Sequence, residues 1–125
     1  MVKEKSSTHY STHYSTHYSI HYINGSQYII REGKVYDQKN RLGVVYSPGG
    51  GAGLVSWSTD NILPSDYRLI FGILFGLRMS QIRIVFEHLD LCVGGWKNAR
   101  IAWIPANLTY EIGDNDGNEY LILTV

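Results

Sequence analysis

The order of two hydrophobic periodicities limits this chain to few architectures. Strand-like runs lie at both ends, and the helical spacing is confined to the middle. "QYIIREGKVYD" (27–37) is two short apolar runs around Glu32-Gly33 and predicts a β-hairpin, and "RLGVVYS" (41–47) predicts another strand. "LVSWS" (54–58) reads as a short extended segment. Tyr67, Ile70, Phe71, Leu74 and Leu77 then recur at helical spacing, with Pro64, Ser65 and Asp66 suited to a helix start. Ser80 is a candidate cap for a second helix, whose apolar positions Ile82, Val85, Phe86 and Leu89 run to about Leu91 before Gly94-Gly95. "ARIAWIP" (99–105), "LTYEI" (108–112) and "NEYLILTV" (118–125) predict three strands, the last two joined by the turn signal "GDNDGN". Helices segregated from antiparallel strands define an α+β domain. The expectation is an antiparallel sheet, formed by an N-terminal hairpin and a C-terminal three-stranded meander, packed on one or two central helices.

The N-terminus has a different texture. "STHYSTHYSTHYSIHY" (7–22) is one four-residue word written four times, with Ile20 replacing Thr in the last copy. As a strand it would have a Tyr/Thr face and a Ser/His face. Its histidines would then stand about 13 Å apart, too far to share an ion. A helix would bring them within reach of one metal, but Ser, Thr and Tyr are indifferent helix formers. Duplication of a short DNA unit explains the repeat best. Residues 1–25 are therefore expected to be a low-complexity tail and residues 26–125 a single domain, with residues 1–22 dispensable for folding.

The 125 residues carry 11 basic and 11 acidic side chains with no basic stripe, which argues against duplex nucleic acid or an anionic membrane as partner. A hydrophobic content of 44% is that of a globular chain. The one cysteine, Cys92, lies between Leu91 and Val93 and reads as a small buried hydrophobe in a reducing compartment. The longest apolar patch (67–77) contains Arg68 and is about half a membrane span. With no secretory signal, the expected location is cytoplasmic, in the host cell if the chain is viral.

The loop Ser47-Pro48-Gly49-Gly50-Gly51-Ala52-Gly53 is the most unusual piece of the globular part. Such glycines admit positive φ and bring backbone N–H groups close to a ligand, as in phosphate cradles. No Gly-Lys-Ser/Thr follows, and the next residues are Leu-Val-Ser-Trp, so neither a Walker A loop nor a dinucleotide fingerprint is present. A tight turn or a close packing contact accounts for the same residues. Trp57 and Trp96 are the candidates to stack on a base, or to close a small core; Trp103, between Ala102 and Ile104, reads as core. The candidate ligand-binding set is thus Ser47, Gly49, Gly50, Gly51, Gly53, Trp57 and Trp96.

Catalytic constellations are thin. His88 beside Glu87 reads as a surface residue. Asp114 and Asp116 suit turn geometry and lack the later Glu of a calcium loop. No catalytic residue, metal site or cofactor is expected.

At "YSPGGGAGLVSWS" the chain resembles a group of small phage and prophage proteins whose loop has the form Ser-Pro-Gly-aromatic-Gly-Ala-Gly-Trp-Ser-Thr-Trp. Ser47, Pro48, Gly49, Gly51, Ala52, Gly53 and Trp57 match, while Gly50 replaces the aromatic and Leu54 the first tryptophan. The likeness continues in order through a helical middle from Asp66, Gly94-Gly95, Trp103-Ile104-Pro105, Tyr110-Glu111-Ile112 and Asp116-Gly117-Asn118-Glu119, covering about residues 42–120. The resemblance implies a viral or mobile-element origin and a small α+β domain, and brings no activity with it. Two functional expectations follow. One is a non-enzymatic accessory protein that binds or sequesters a nucleotide-like small molecule in counter-defence. The other is an interaction module that inhibits or adapts a host protein; neutral charge and 10 tyrosines suit it, and a homo-oligomer is compatible with either.

Overall fold

The computed structural model describes residues 17–50, 52–58 and 62–125. The elements, in chain order, are β1 (Ser19–Ile23), β2 (Ser26–Arg31), β3 (Lys34–Tyr36), β4 (Leu42–Tyr46), α1 (Tyr67–Leu74), α2 (Met79–Val85), β5 (Arg100–Ile104), β6 (Thr109–Asn115) and β7 (Asn118–Thr124). A 3₁₀ turn, Trp96–Asn98, precedes β5. The fold is α+β with antiparallel strands, as the pattern predicts.

The three C-terminal strands divide between two sheets. β1 to β5 form one sheet in chain order, and β6 pairs with β7 as a separate ribbon. β5 returns after the helices to pair along all of β4, from Leu42–Ile104 to Tyr46–Arg100. The reason lies in β4, whose Gly43, Val44 and Val45 are all buried and need a neighbour on each side. The ribbon closes its own seven-residue ladder through Asp116-Gly117, both with left-handed φ (52° and 85°), the geometry of a two-residue hairpin turn.

The sheet begins inside the segment assigned to the low-complexity tail. The last copy of the repeated word, with Ile23, forms β1, paired with β2 from Ser19–Ile30 to Ile23–Ser26. Asn24-Gly25 supplies the turn. The Ser/His face is the one that turns inward: the His21 ring meets Phe71 of α1 edge-on at 5.4 Å, while Tyr18, Ile20 and Tyr22 are exposed. The earlier copies, residues 1–16, lie outside the described residues.

α1 starts one turn after Pro64. Asp66 caps it, accepting from Arg68 N at 2.8 Å, and also pairs with the Arg68 guanidinium at 2.7 Å. That hydrogen bond holds the guanidinium pKa above its usual value, and the charged group lies 4.5 Å over the Phe86 ring just past α2. Leu69 and Ile70 are fully buried with Leu54, Ile82, Val35 and Val45, the heart of the core. Each such aliphatic side chain contributes about 1.5–3 kcal/mol. α2 begins at Met79, before the candidate cap Ser80, with Gln81 Oε1 accepting from Arg78 N at 2.8 Å. It stops at Val85 and not near Leu91. Beyond it the bonds shorten to Glu87 N–Ile84 O and Leu89 N–Phe86 O, and Cys92 N donates to Ser58 Oγ, which draws the chain back to the body. Among the described residues no helix is long and apolar enough to cross a membrane.

Candidate functional site

The glycine loop leaves the end of β4 and is held by a carboxylate. Glu119, second residue of β7, is fully buried. Its Oε1 accepts from Ser47 N at 2.8 Å; its Oε2 accepts from Leu54 N at 2.8 Å, Ser56 N at 2.9 Å and Ser56 Oγ at 2.6 Å. The backbone closes the same junction, with Glu119 N donating to Ser47 O at 3.0 Å. Among the described residues no cation pairs with this carboxylate. Its charge is stabilised by four converging donors, the arrangement that makes a buried anion tolerable.

This junction explains why residues 54–58 are a turn and not the extended segment the sequence suggests. Leu54 N and Ser56 N point at Glu119 and are lost to any strand ladder, and Ser58 Oγ donates to Leu54 O at 2.7 Å.

Three more side chains fix the loop. Ser47 is buried, and its hydroxyl donates to Gly95 O at 2.5 Å. Asn118 Oδ1 accepts from Gly49 N at 2.8 Å. Asp114 accepts from Trp57 Nε1 at 2.9 Å and, through its other oxygen, from Gly117 N at 2.9 Å. The underside is packed backbone on backbone. A Cβ on Gly95 would sit 2.8 Å from Ala52 O, and one on Gly117 would sit 2.8 Å from Ala52 N. Gly94-Gly95 therefore does more than follow a helix, since Gly95 admits the loop.

Of the candidate residues, the structure brings Ser47, Gly49, Gly50, Gly53 and Trp57 together. Gly49 and Gly50 take left-handed φ (114° and 80°) on the outer rim beside Asn98 and Asn118. Gly53 lies under the Trp57 ring, which is 41% exposed. Gly51 falls outside the described residues. Trp96 does not join this rim: it is 6% exposed, packs on Gly72, and donates through Nε1 to Leu77 O at 2.8 Å. Trp103 is half-buried and stacked on Tyr28, with ring centroids 5.6 Å apart.

Glu119, Asn118, Asn98 and Asp114 are the residues that sequence reasoning missed. One signal was available for Glu119. In "NEYLILT" it shares strand parity with Leu121 and Leu123, and an acid on an apolar face requires donors. His88 is exposed, 3.6 Å from Glu87. Among the described residues no group of three His, Cys, Asp or Glu side chains could hold a metal ion.

No protein family, curated protein or solved structure matches the chain.

Proposed function

We propose that the chain is a non-enzymatic accessory protein of viral or mobile-element origin that acts by binding, and that its braced glycine loop takes a nucleotide-like small molecule. The observation that carries this reading is the cost of the brace. A fully buried carboxylate, with no cation partner among the described residues, holds one loop in one shape, and a preorganised rim loses less ordering entropy when a ligand arrives. The rim offers the half-exposed Trp57 face for a base and the Asn98 and Asn118 amides nearby for polar edges. The flanking N–H groups of Ser47, Leu54 and Ser56 are already taken by Glu119, so recognition rests on stacking and amide contacts more than on a phosphate cradle. The test is titration with nucleoside monophosphates and cyclic nucleotides, followed by tryptophan fluorescence. Saturable quenching is expected, and Trp57→Ala should weaken binding by about 1–3 kcal/mol, the usual worth of a base-stacking aromatic. No binding by any member of the series would remove the reading.

A second reading, an interaction module for a host protein, draws on the ribbon. Among the described residues β6 and β7 pair only with each other, and Tyr120, Ile122 and Leu123 are exposed. A two-stranded ribbon whose edge is engaged at Glu119 by Ser47 but is otherwise outside the sheet can accept a partner's extended segment. Ile122→Asp should then abolish capture of a host protein that Ile84→Asp, on the exposed face of α2, leaves intact. Equal capture by both variants would reject it.

A further inference from the structure

A second cleft lies away from the glycine loop, between the C-terminal end of α1, the start of α2 and the 3₁₀ turn. Its volume is about 320 Å³. Ile73, Leu77, Met79 and Trp96 give it apolar walls, and Arg78 and Lys97 stand at it as exposed cations. No acidic residue lines it. Two other arginines are neutralised by neighbouring carboxylates, Arg41 by Asp37 and Arg68 by Asp66, each at 2.7 Å. Arg78 and Lys97 make no such pair among the described residues. The buried Trp96 indole is held in place, donating to Leu77 O at 2.8 Å and packing on Gly72.

We propose that this cleft binds a small amphipathic carboxylate, an alkyl or aryl body with one anionic head. The body would cover the half-buried faces of Ile73, Leu77 and Met79 against the indole, removing apolar surface from water. The head would meet the guanidinium of Arg78 and the ammonium of Lys97, where an anion is favoured and a cation repelled. The volume is at the lower end of the range for small-molecule pockets, about 300–1,000 Å³, so the ligand is a single short chain or one ring system. The inference is independent of the glycine loop and stands or falls separately from the nucleotide reading.

The test uses octanoate, with 1-octanol and octylammonium as probes of the same body and a different head. The Trp96 indole N–H resonance reports the cleft, and the Trp57 indole N–H resonance serves as the internal control. Octanoate should shift the Trp96 signal saturably and leave that of Trp57 unmoved. 1-Octanol should bind about tenfold more weakly and octylammonium more weakly still. Arg78→Gln and Lys97→Glu, both at exposed positions, should each weaken octanoate binding with the folded spectrum preserved, and Lys97→Glu should erase the preference for octanoate over octylammonium. Equal binding of all three heads, or no Trp96 shift at millimolar octanoate, would overturn the proposal.

Discussion

Replacing Glu119 by Gln preserves shape and volume and changes only the charge and one hydrogen-bond sense. The carboxylate accepts four hydrogen bonds, three at Oε2 and one at Oε1. A carboxamide placed with its oxygen at the Oε2 position keeps the contacts with Leu54 N, Ser56 N and Ser56 Oγ as neutral bonds. Its NH₂ then faces Ser47 N–H, donor against donor, in a site closed to water. Hydrogen bonds to a charged group are worth about 1.5–3 kcal/mol and neutral ones about 0.5–1.5, and an unsatisfied buried donor costs about 1–3. Relief of the buried charge offsets part of this loss. The net expectation is a destabilisation of about 3–5 kcal/mol, a large part of the stability of a domain this size. Urea denaturation followed by circular dichroism measures it, with Asn118→Ala, at the more exposed edge of the same junction, expected below about 1 kcal/mol. Glu119→Gln within about 1 kcal/mol of the parent chain would show that the four donors do not depend on the charge, and the brace argument would fail.

Three other perturbations separate parts of the account. Gly117→Ala should cost at least about 2 kcal/mol, since left-handed φ and contact with the Ala52 backbone both oppose a Cβ, whereas Gly113→Ala should cost less because only the exposed, movable Tyr120 ring stands in the way; thermal melts of the pair decide. Deleting residues 1–23 removes β1 and should lower the melting temperature by more than about 10 °C, because β2 loses its partner strand and Phe71 loses the His21 ring; an unchanged melt would restore the dispensable-tail expectation. Trp57→Phe should keep most nucleotide affinity and fold stability, while Trp57→Ala should lose affinity with little change in stability, since the ring is half-exposed and its one polar bond goes to Asp114; unfolding of both variants would assign Trp57 to the core instead.

The fold class was legible because each element carried local instructions. Glu32-Gly33 and Asp116-Gly117 write their own hairpin turns, and Leu69, Ile70 and Ile82 mark the buried helix faces. The division of the last three strands was not legible, since pairing of β5 with β4 joins residues about 60 apart and is decided by burial of Val44 and Val45 on opposite faces. β1 was obscured by its composition: a repeated Ser-Thr-His-Tyr word suggests a tail, yet Ile23, Asn24 and Gly25 complete a hairpin. At the loop, the glycines could be seen but their purpose could not. Gly49 and Gly50 turn the chain, while the close approaches at Ala52 are admitted by Gly95 and Gly117, far away in sequence. Glu119 was hidden for the same reason, because its donors come from residues 47–56.

Native mass spectrometry of the protein purified without denaturation from a lysate of the cells that express it tests the central claim most directly, with Trp57→Ala handled in parallel. The account predicts an added mass of nucleotide size on the parent chain, released on denaturation and absent or strongly reduced in Trp57→Ala. A bare polypeptide mass for both chains, with no adduct regained on incubation with the nucleotide series, would contradict it.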